Sequence, residues 1–536
     1  MRDWLSHRAG ATPGSTAVID TATEQRRSFA DLDRAVDRTA SYLAALDVDD
    51  GDHVGIVVED RMETIRLLWA TMRIGAVSVL LRPEWDAEAL SGHAEETDLT
   101  AVVCGDATES TATAIADTPI VTIDDPESDD VERLSDRESI SIAPSTWTRS
   151  DPATIVFTAG TTGDPRPVVL EMGNHLTNAT DAAFRFGMLP TDRWLSCQPI
   201  HHVNGLATVF RATLFGGTIV LQEESTPGPL ADTLDAHDVT CLTASPSTVS
   251  KMLEARGMLT DSLRAVVVTS APVPPALLDR CRGYSIPAFA AYSLTEAAGL
   301  VTAVGPGTGE ASGSVGTPLF RMEVTVVDTD GTPASQGQTG ELVVSGPSVT
   351  PGYYDSDVGG PAGRNGHGVA TGDIGFREDG RIHVLSRRAD RILVGGETVR
   401  AADVRDVVCE HEGVADAAVV GVPDTEWGER PGVLVVRSDP DLDAETLQDH
   451  CQARLATFVV PEQFTFTTEL PRTPSGDVDR RAVRKHLLDR EHTDSAESVR
   501  SDGQSSPDAS SDEQSSNVNS EQQSSTDVNS GEHDDA

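Results

Sequence analysis

Thr158-Ala159-Gly160-Thr161-Thr162-Gly163-Asp164-Pro165-Arg166-Pro167-Val168 is the stretch from which the rest of the chain can be read. It follows the apolar run Ile155-Val156-Phe157 and leads into Val168 to Leu170, so it reads as a strand, a sharp Gly/Thr loop and a second strand. Such a loop suits phosphate. Glycines let backbone N–H groups approach an anion closely, threonine hydroxyls add donors, and Arg166 at the exit supplies positive charge. An ordinary Ser/Thr/Gly turn would look the same in isolation, so the reading depends on what surrounds it.

Upstream, strands at Ala17 to Ile19 and Arg26 to Ser28 precede a helix opened by a capping box, Ser28 with Asp31. Strands at Val54 to Val58, Ala76 to Leu81 and Ala101 to Cys104 then alternate with helices at Glu63 to Met72 and Ala87 to Ala94. The polar, acidic segment Asp124 to Ser150 reads as a surface connection. Downstream, strands at Trp194 to Gln198, Thr218 to Leu221, Thr240 to Thr243 and Ala265 to Val268 alternate with helices at Ala207 to Leu214 and Pro246 to Ala255. This alternation predicts an α/β fold, a parallel sheet covered on both faces. Beyond Gly313, strands such as Glu323 to Val327 and Gly340 to Val344 between Gly-rich turns predict a β-rich lobe. A compact α/β pattern resumes after Ser386, and from about Glu491 a Ser/Asp/Glu/Gln/Asn sequence has too little apolar surface to offset the entropy of ordering it. The expected organisation is a large N-terminal domain of packed α/β sheets with a β-rich lobe, residues 1–385, a connection at 386–390, a small α/β domain at 391–490 and a disordered acidic tail at 491–536.

A chain of 536 residues is too long for a single compact core. It contains no apolar run of 18 residues, and Met1 to His7 lacks the apolar stretch of a signal peptide, so a soluble, cytoplasmic protein without stable membrane insertion is expected. The six cysteines are scattered without a C-x-x-C pair, which argues against a disulfide framework or a zinc site. The formal charge is −45, with Lys251 and Lys485 the only lysines. At molar salt the Debye length falls to roughly 3 Å and screens such self-repulsion, which predicts a salt-rich, halophilic cytoplasm. With no basic stripe to neutralise phosphates, nucleic acid is excluded as a partner.

Five further motifs follow the loop in order: Pro199-Ile200-His201-His202-Val203-Asn204-Gly205, Ser270-Ala271-Pro272, Ala291-Tyr292-Ser293-Leu294-Thr295-Glu296, Thr371-Gly372-Asp373 and Ser386-Arg387-Arg388-Ala389-Asp390. Three of them end strands, where ligands of open α/β folds bind. Together with the loop they resemble the acyl-adenylate-forming superfamily of AMP-dependent synthetases and ligases over roughly residues 1 to 490. The resemblance implies that ATP first joins a carboxylic acid to AMP with release of pyrophosphate, after which the acyl group passes to a thiol, usually that of CoA. It also implies a small C-terminal domain that rotates about residues 386–390 between two poses. Thr158, Gly160, Thr161, Thr162, Gly163 and Arg166 would hold phosphates, Tyr292 would stack on adenine, and Ser270, Ala271 and Pro272 would line the opposite wall beside Ser293. Thr295 would bind the α-phosphate and Glu296 an Mg²⁺ ion, a hard cation suited to carboxylate oxygen. Asp373 and Arg387 would hold the ribose, and His202 would meet the substrate carboxylate.

Within the superfamily the chain is similar to the o-succinylbenzoate-CoA ligases of menaquinone synthesis, on Phe210-Arg211, Arg387 to Glu397 and Asp424 to Gly428. That likeness implies that Arg211 faces the acid pocket and pairs with a second carboxylate of a keto-diacid, a task suited to a guanidinium. Another aryl- or acyl-CoA ligase would carry most of the same motifs. Two departures matter: Arg166-Pro167 stands where the family has lysine and glycine, and Asp477 stands where the loop Pro471 to Asp477 should end in lysine. A cation 4 Å from the reacting groups contributes on the order of 4 kcal/mol at an effective dielectric of 20, and a carboxylate there repels comparably. Either Arg480, Arg481 or Lys485 substitutes, or adenylation is impaired and the chain is a nucleotide-binding homologue.

Overall fold

The computed structural model describes residues 1–488 other than 60–61, 116–117, 159–164, 223–225, 307–312, 358–359, 363–367, 388–390, 395–396, 425–426, 457–458 and 474–477. Gly160, Thr161, Thr162, Gly163, Asp477 and the 491–536 tail therefore lie outside the described residues.

Two large mixed sheets organise the chain up to Arg387. In the nine-stranded sheet, His53–Val57, Val77–Leu80, Leu99–Cys104 and Pro152–Phe157 run parallel, and Pro167–Glu171 returns antiparallel beside Pro152–Phe157. In the thirteen-stranded sheet, Thr16–Asp20, Thr218–Leu221, Arg193–Ser196, Cys241–Ala244, Ala265–Val268 and Ala288–Leu294 run parallel. These strands match the runs read from the sequence to within three residues, because fully buried parallel strands are continuous apolar runs. The Ser28–Asp31 capping box opens the helix Phe29–Ala44 as expected.

The β-rich stretch forms largely an antiparallel ladder of its own, as expected, and joins the thirteen-stranded sheet through Ser314–Pro318. Gly299–Val304 turns back antiparallel and leaves an open edge, which Ser314–Pro318 and then Arg381–Arg387, Val369–Glu378, Gly340–Ser345 and Glu323–Val327 extend. Gly352–Asp355 crosses instead to the other sheet, where Gly352 and Tyr353 pair with Val169 and Val168. Residues Arg391–Thr467 build a separate five-stranded sheet, chiefly antiparallel, with its own apolar core around Val404, Val433 and Leu447.

Helices at Trp4–Ala11, Met172–Phe186, Pro227–Ala236 and Pro275–Gly283 add to those predicted. Met172–Phe186 escapes periodicity because its buried face is polar. Asn174 donates to the carbonyls of Pro347 and Val349 (3.1 and 3.0 Å), Asn178 to those of Ala297 and Leu300 (3.1 and 2.9 Å), and Asp181 accepts from Arg321 (2.9 Å). Packed against it is Val203–Phe215, buried from Val203 to Thr213 with no exposed face, as a helix covered by Met172–Phe186, Trp4–Ala11 and the strands Arg193–Ser196, Thr218–Leu221 and Gly299–Val304 must be. Its first turn sits directly on the preceding chain: a Cβ on Gly205 would lie 2.0 Å from the Pro199 carbonyl oxygen and 2.5 Å from that of Gln198. Among the described residues no helix is long and apolar enough to cross a membrane.

Gly205→Ala should force the His201–His202 turn and this helix apart, at a cost of about 1–3 kcal/mol. The check is the urea midpoint in molar KCl, and an unchanged midpoint would show that the contact yields freely.

Candidate active site

Five parallel strands end at one place. Arg82 follows Val77–Leu80, Thr158 follows Pro152–Phe157, His201 and His202 follow Arg193–Ser196, Ser270 follows Ala265–Val268, and Tyr292 to Leu294 close Ala288–Leu294. Ligands of open α/β sheets bind beyond such carboxyl ends. The phosphate-loop candidate is a hairpin drawn shut at its neck, where the Thr158 N–H donates to the Arg166 carbonyl and the Arg166 N–H to the Thr158 hydroxyl, both at 3.0 Å.

Arg166 projects from that neck with its side chain 58% exposed, its guanidinium 4.0 Å from the Tyr353 ring centroid and 3.6 Å from the Glu296 carboxylate. The Tyr353 hydroxyl donates to the same Glu296 oxygen at 2.8 Å, and burial together with that carboxylate raises the phenol's pKa, so it stays a donor. Among the described residues no group of three or more His, Cys, Asp or Glu side chains can hold a metal. A cation at Glu296 therefore needs most of its oxygens from a ligand, as Mg²⁺ bound with phosphates does.

Tyr292 and Asp373 form a second group: the phenol donates to the Asp373 carboxylate, which also meets the Arg387 guanidinium at 3.3 Å across paired strands. Burial and the Asp373 charge raise the Tyr292 pKa. Asn204, wholly buried in the first turn of the central helix, ties the strand ends together. Its amide donates to the hydroxyls of Ser270 (3.2 Å) and Ser293 (3.0 Å), and Gln198 also donates to Ser270. Ser270 is held at φ +77°, left-handed backbone that a non-glycine residue adopts only when its surroundings impose it. Ala271 and Pro272 follow that turn. Thr295 and Glu296 lie in a short 3₁₀ turn, whose Glu296 carbonyl accepts from the Thr350 N–H at 2.8 Å.

His202 caps the central helix, its Nδ1 accepting from the Asn204 N–H at 3.2 Å, which leaves the proton on Nε2. Burial first, and then the positive charge of Arg82, push His202 down to about 4 and His201 to about 3, so both rings are neutral at pH 7. Arg211, on the same helix, is 1% exposed, and none of its three nitrogens has a hydrogen-bond partner. Its guanidinium lies 5.6 Å from the Trp194 ring centroid; burial lowers its pKa to about 10, which leaves it a cation. Arg211 therefore neither caps a helix nor pairs on a helix surface among the described residues.

The sequence profile described as AMP-binding enzyme matches residues 5–354, and that of the AMP-binding enzyme C-terminal domain matches residues 403–477. The chain belongs to the AMP-binding enzyme family. Similar members of it include 2-succinylbenzoate–CoA ligases of Bacillus subtilis, 30% identical over 90% of this chain and 97% of the relative, and Bacillus cereus, 31% identical over 90% and 98%. Among solved structures, o-succinylbenzoate CoA synthetase from Bacillus subtilis in complex with an acyl-adenylate intermediate superposes with a TM-score of 0.82 at 29% identity, covering 90% of this chain and 98% of that one. The same enzyme in complex with ATP and magnesium ion gives 0.80 at 30% identity, covering 91% and 99%.

Of the AMP-binding motifs read from the sequence, all the described residues lie at these strand ends or on the flanking strands and the central helix. Arg82, Asn204, Gln198 and Tyr353 were not legible, because each acts through a partner distant in sequence. Only Asn204 lay inside a motif already singled out. Because His202 takes up a proton when unfolded near pH 6.5 but when folded only near 4, stability should fall as the pH drops from 6.5 towards 4. His202→Asn, which keeps a helix cap but titrates no proton, should remove about 1.4 kcal/mol per pH unit from that slope, read by urea unfolding at pH 6 to 4.5. An unchanged slope would mean that His202 is already charged in the folded protein.

Proposed function

We propose that the chain is an AMP-forming acid–CoA ligase acting on o-succinylbenzoate in menaquinone synthesis, within a salt-rich cytoplasm. The observation that carries the acid specificity is Arg211. A buried cation without a hydrogen-bond partner is costly to keep unless something anionic joins it, and no carboxylate among the described residues meets it. The curated relatives and solved structures named for 2-succinylbenzoate support the same substrate.

In this reading one carboxylate lies near neutral His202 while Arg211 holds the other. The first carboxylate attacks the α-phosphorus of ATP, the bond to the bridging oxygen breaks, and pyrophosphate leaves. The CoA sulfur then attacks the acyl carbon and AMP departs with its phosphate oxygen. The hairpin from Thr158 to Arg166 grips the β- and γ-phosphates, Thr295 the α-phosphate, and Asp373 with Arg387 the ribose, while Tyr292 and Ser270 to Pro272 flank adenine. When bound at Glu296, Mg²⁺ supplies positive charge to the phosphates. The small domain from residue 391, turning about 386–390, exchanges the face it presents between the two half-reactions.

The first assay is pyrophosphate release in molar KCl with Mg-ATP, comparing o-succinylbenzoate, benzoate and fatty acids with and without CoA. Release with o-succinylbenzoate and a thioester product is expected; release only with another acid would reassign the substrate. Arg211→Ala should raise KM for o-succinylbenzoate by about 30-fold or more, the cost of removing a buried charge pair, but hardly at all for benzoate. Equal effects on both acids would sink the diacid assignment. Asp477 favours a second reading, a nucleotide-binding homologue with impaired adenylation. Asp477→Lys should then accelerate pyrophosphate release, by up to about 10² to 10³ if a single charge-stabilising group is restored. A rate that stays the same or falls means that another residue has taken the role.

A further inference from the structure

We propose that Arg82 is a positioning residue of this site, a cation that ties the entrance of the phosphate loop to the His201–His202 turn; the assignment rests on the ligase reading above. Arg82 stands two residues beyond the carboxyl end of Val77–Leu80, beside the parallel strand Pro152–Phe157. One of its terminal nitrogens donates to the carbonyl of Thr158 at 2.7 Å and lies 3.5 Å from that of Phe157. Those carbonyls are the last of the strand and the first of the loop, so the guanidinium sets the direction in which the chain leaves the sheet.

The turn that carries Arg82 is held on two other sides. Trp85 packs edge-on against Phe157 at 5.1 Å between ring centroids, with the Arg82 guanidinium 5.5 Å from the indole. Glu84 reaches the other way, its carboxylate 3.6 Å from His201 Nε2. Four residues, Arg82 to Trp85, thus touch the phosphate loop's root through one end and the histidine turn through the other. The charged groups bearing on that turn are Arg82 and Glu84, and Arg82 acts on both rings by keeping a second positive charge from forming beside it. A neutral His202 can face an anionic substrate as an Nε2–H donor without trapping it as an ion pair, and the loop's first residue is anchored.

A purely structural arginine would affect folding alone, so the decisive readouts are local. In Arg82→Gln the His202 ring, followed by NMR on the ligand-free protein and assigned with His202→Asn, should titrate at a measurably higher pH than in the parent, burial still holding it below an ordinary histidine. Affinity for Mg-AMPPNP, measured by calorimetry without any acid present, should fall about tenfold or more as the loop root loosens. Arg82→Lys, which keeps the charge but not the forked donor, should restore the low His202 midpoint while leaving nucleotide affinity weakened. Should Arg82→Gln not fold, the lysine variant still discriminates, since parental nucleotide affinity in it would overturn the anchoring role. A His202 midpoint unmoved in Arg82→Gln overturns the coupling. Failure of the parent itself to bind Mg-AMPPNP would count against the ligase reading, whereas the titration reads the Arg82–His202 coupling independently.

Discussion

The helix Val203–Phe215 has no face turned to water, and that constraint shapes the molecule around it. A segment buried all round must be covered on every side, so the thirteen-stranded sheet and the helices Trp4–Ala11 and Met172–Phe186 close over it. Its N-terminus then meets the carboxyl ends of strands from both sheets. The close seat of Gly205 on the Pro199 carbonyl fixes where that end lies, and Asn204 converts the position into hydrogen bonds to Ser270 and Ser293. The site is thus the junction at which a buried helix begins, and its geometry is a consequence of packing.

Charge is handled in two opposite ways within the same core. Arg73, also 1% exposed, is surrounded by Asp3, Asp33 and Asp37 at 2.6 to 3.1 Å, with Ser6 as a further acceptor at 2.8 Å. Arg211, equally buried, has none of this. In a chain with 86 acidic residues, that contrast is the feature on which the proposed site for a second substrate carboxylate rests. Arg166, exposed over the Tyr353 ring, and Arg82, anchored on the Thr158 carbonyl, bring two further cations to the strand ends. The strongly acidic composition therefore coexists with a cluster of positive groups where phosphates and carboxylates are expected to gather.

Legibility followed the range of the interaction. The parallel strands were readable because burial on both faces makes them unbroken apolar runs, and the helix opened by Ser28 because a capping box closes within three residues. Met172–Phe186 was not, because Asn174, Asn178 and Asp181 interrupt its pattern while bonding to chain more than a hundred residues away. The β-rich stretch was legible as strands, but its junctions were not: an open edge recruits whichever strand reaches it, and local sequence does not name the partner that Ser314–Pro318 or Gly352–Asp355 finds.

What the sequence alone determined was the set of chemical groups and their order: a Gly/Thr loop ending in arginine, a histidine pair before a helix, a tyrosine and an acid at a strand end. Those depend on local backbone geometry, which neighbouring residues dictate. Tertiary structure decided which groups stand without partners and which are pinned. Arg211 as a lone buried cation, His202 as a neutral cap beside Arg82, and Tyr353 bound to Glu296 all arise from burial and from contacts between distant segments. Desolvation and through-space charge depend on the assembled fold, and no stretch of sequence contains them.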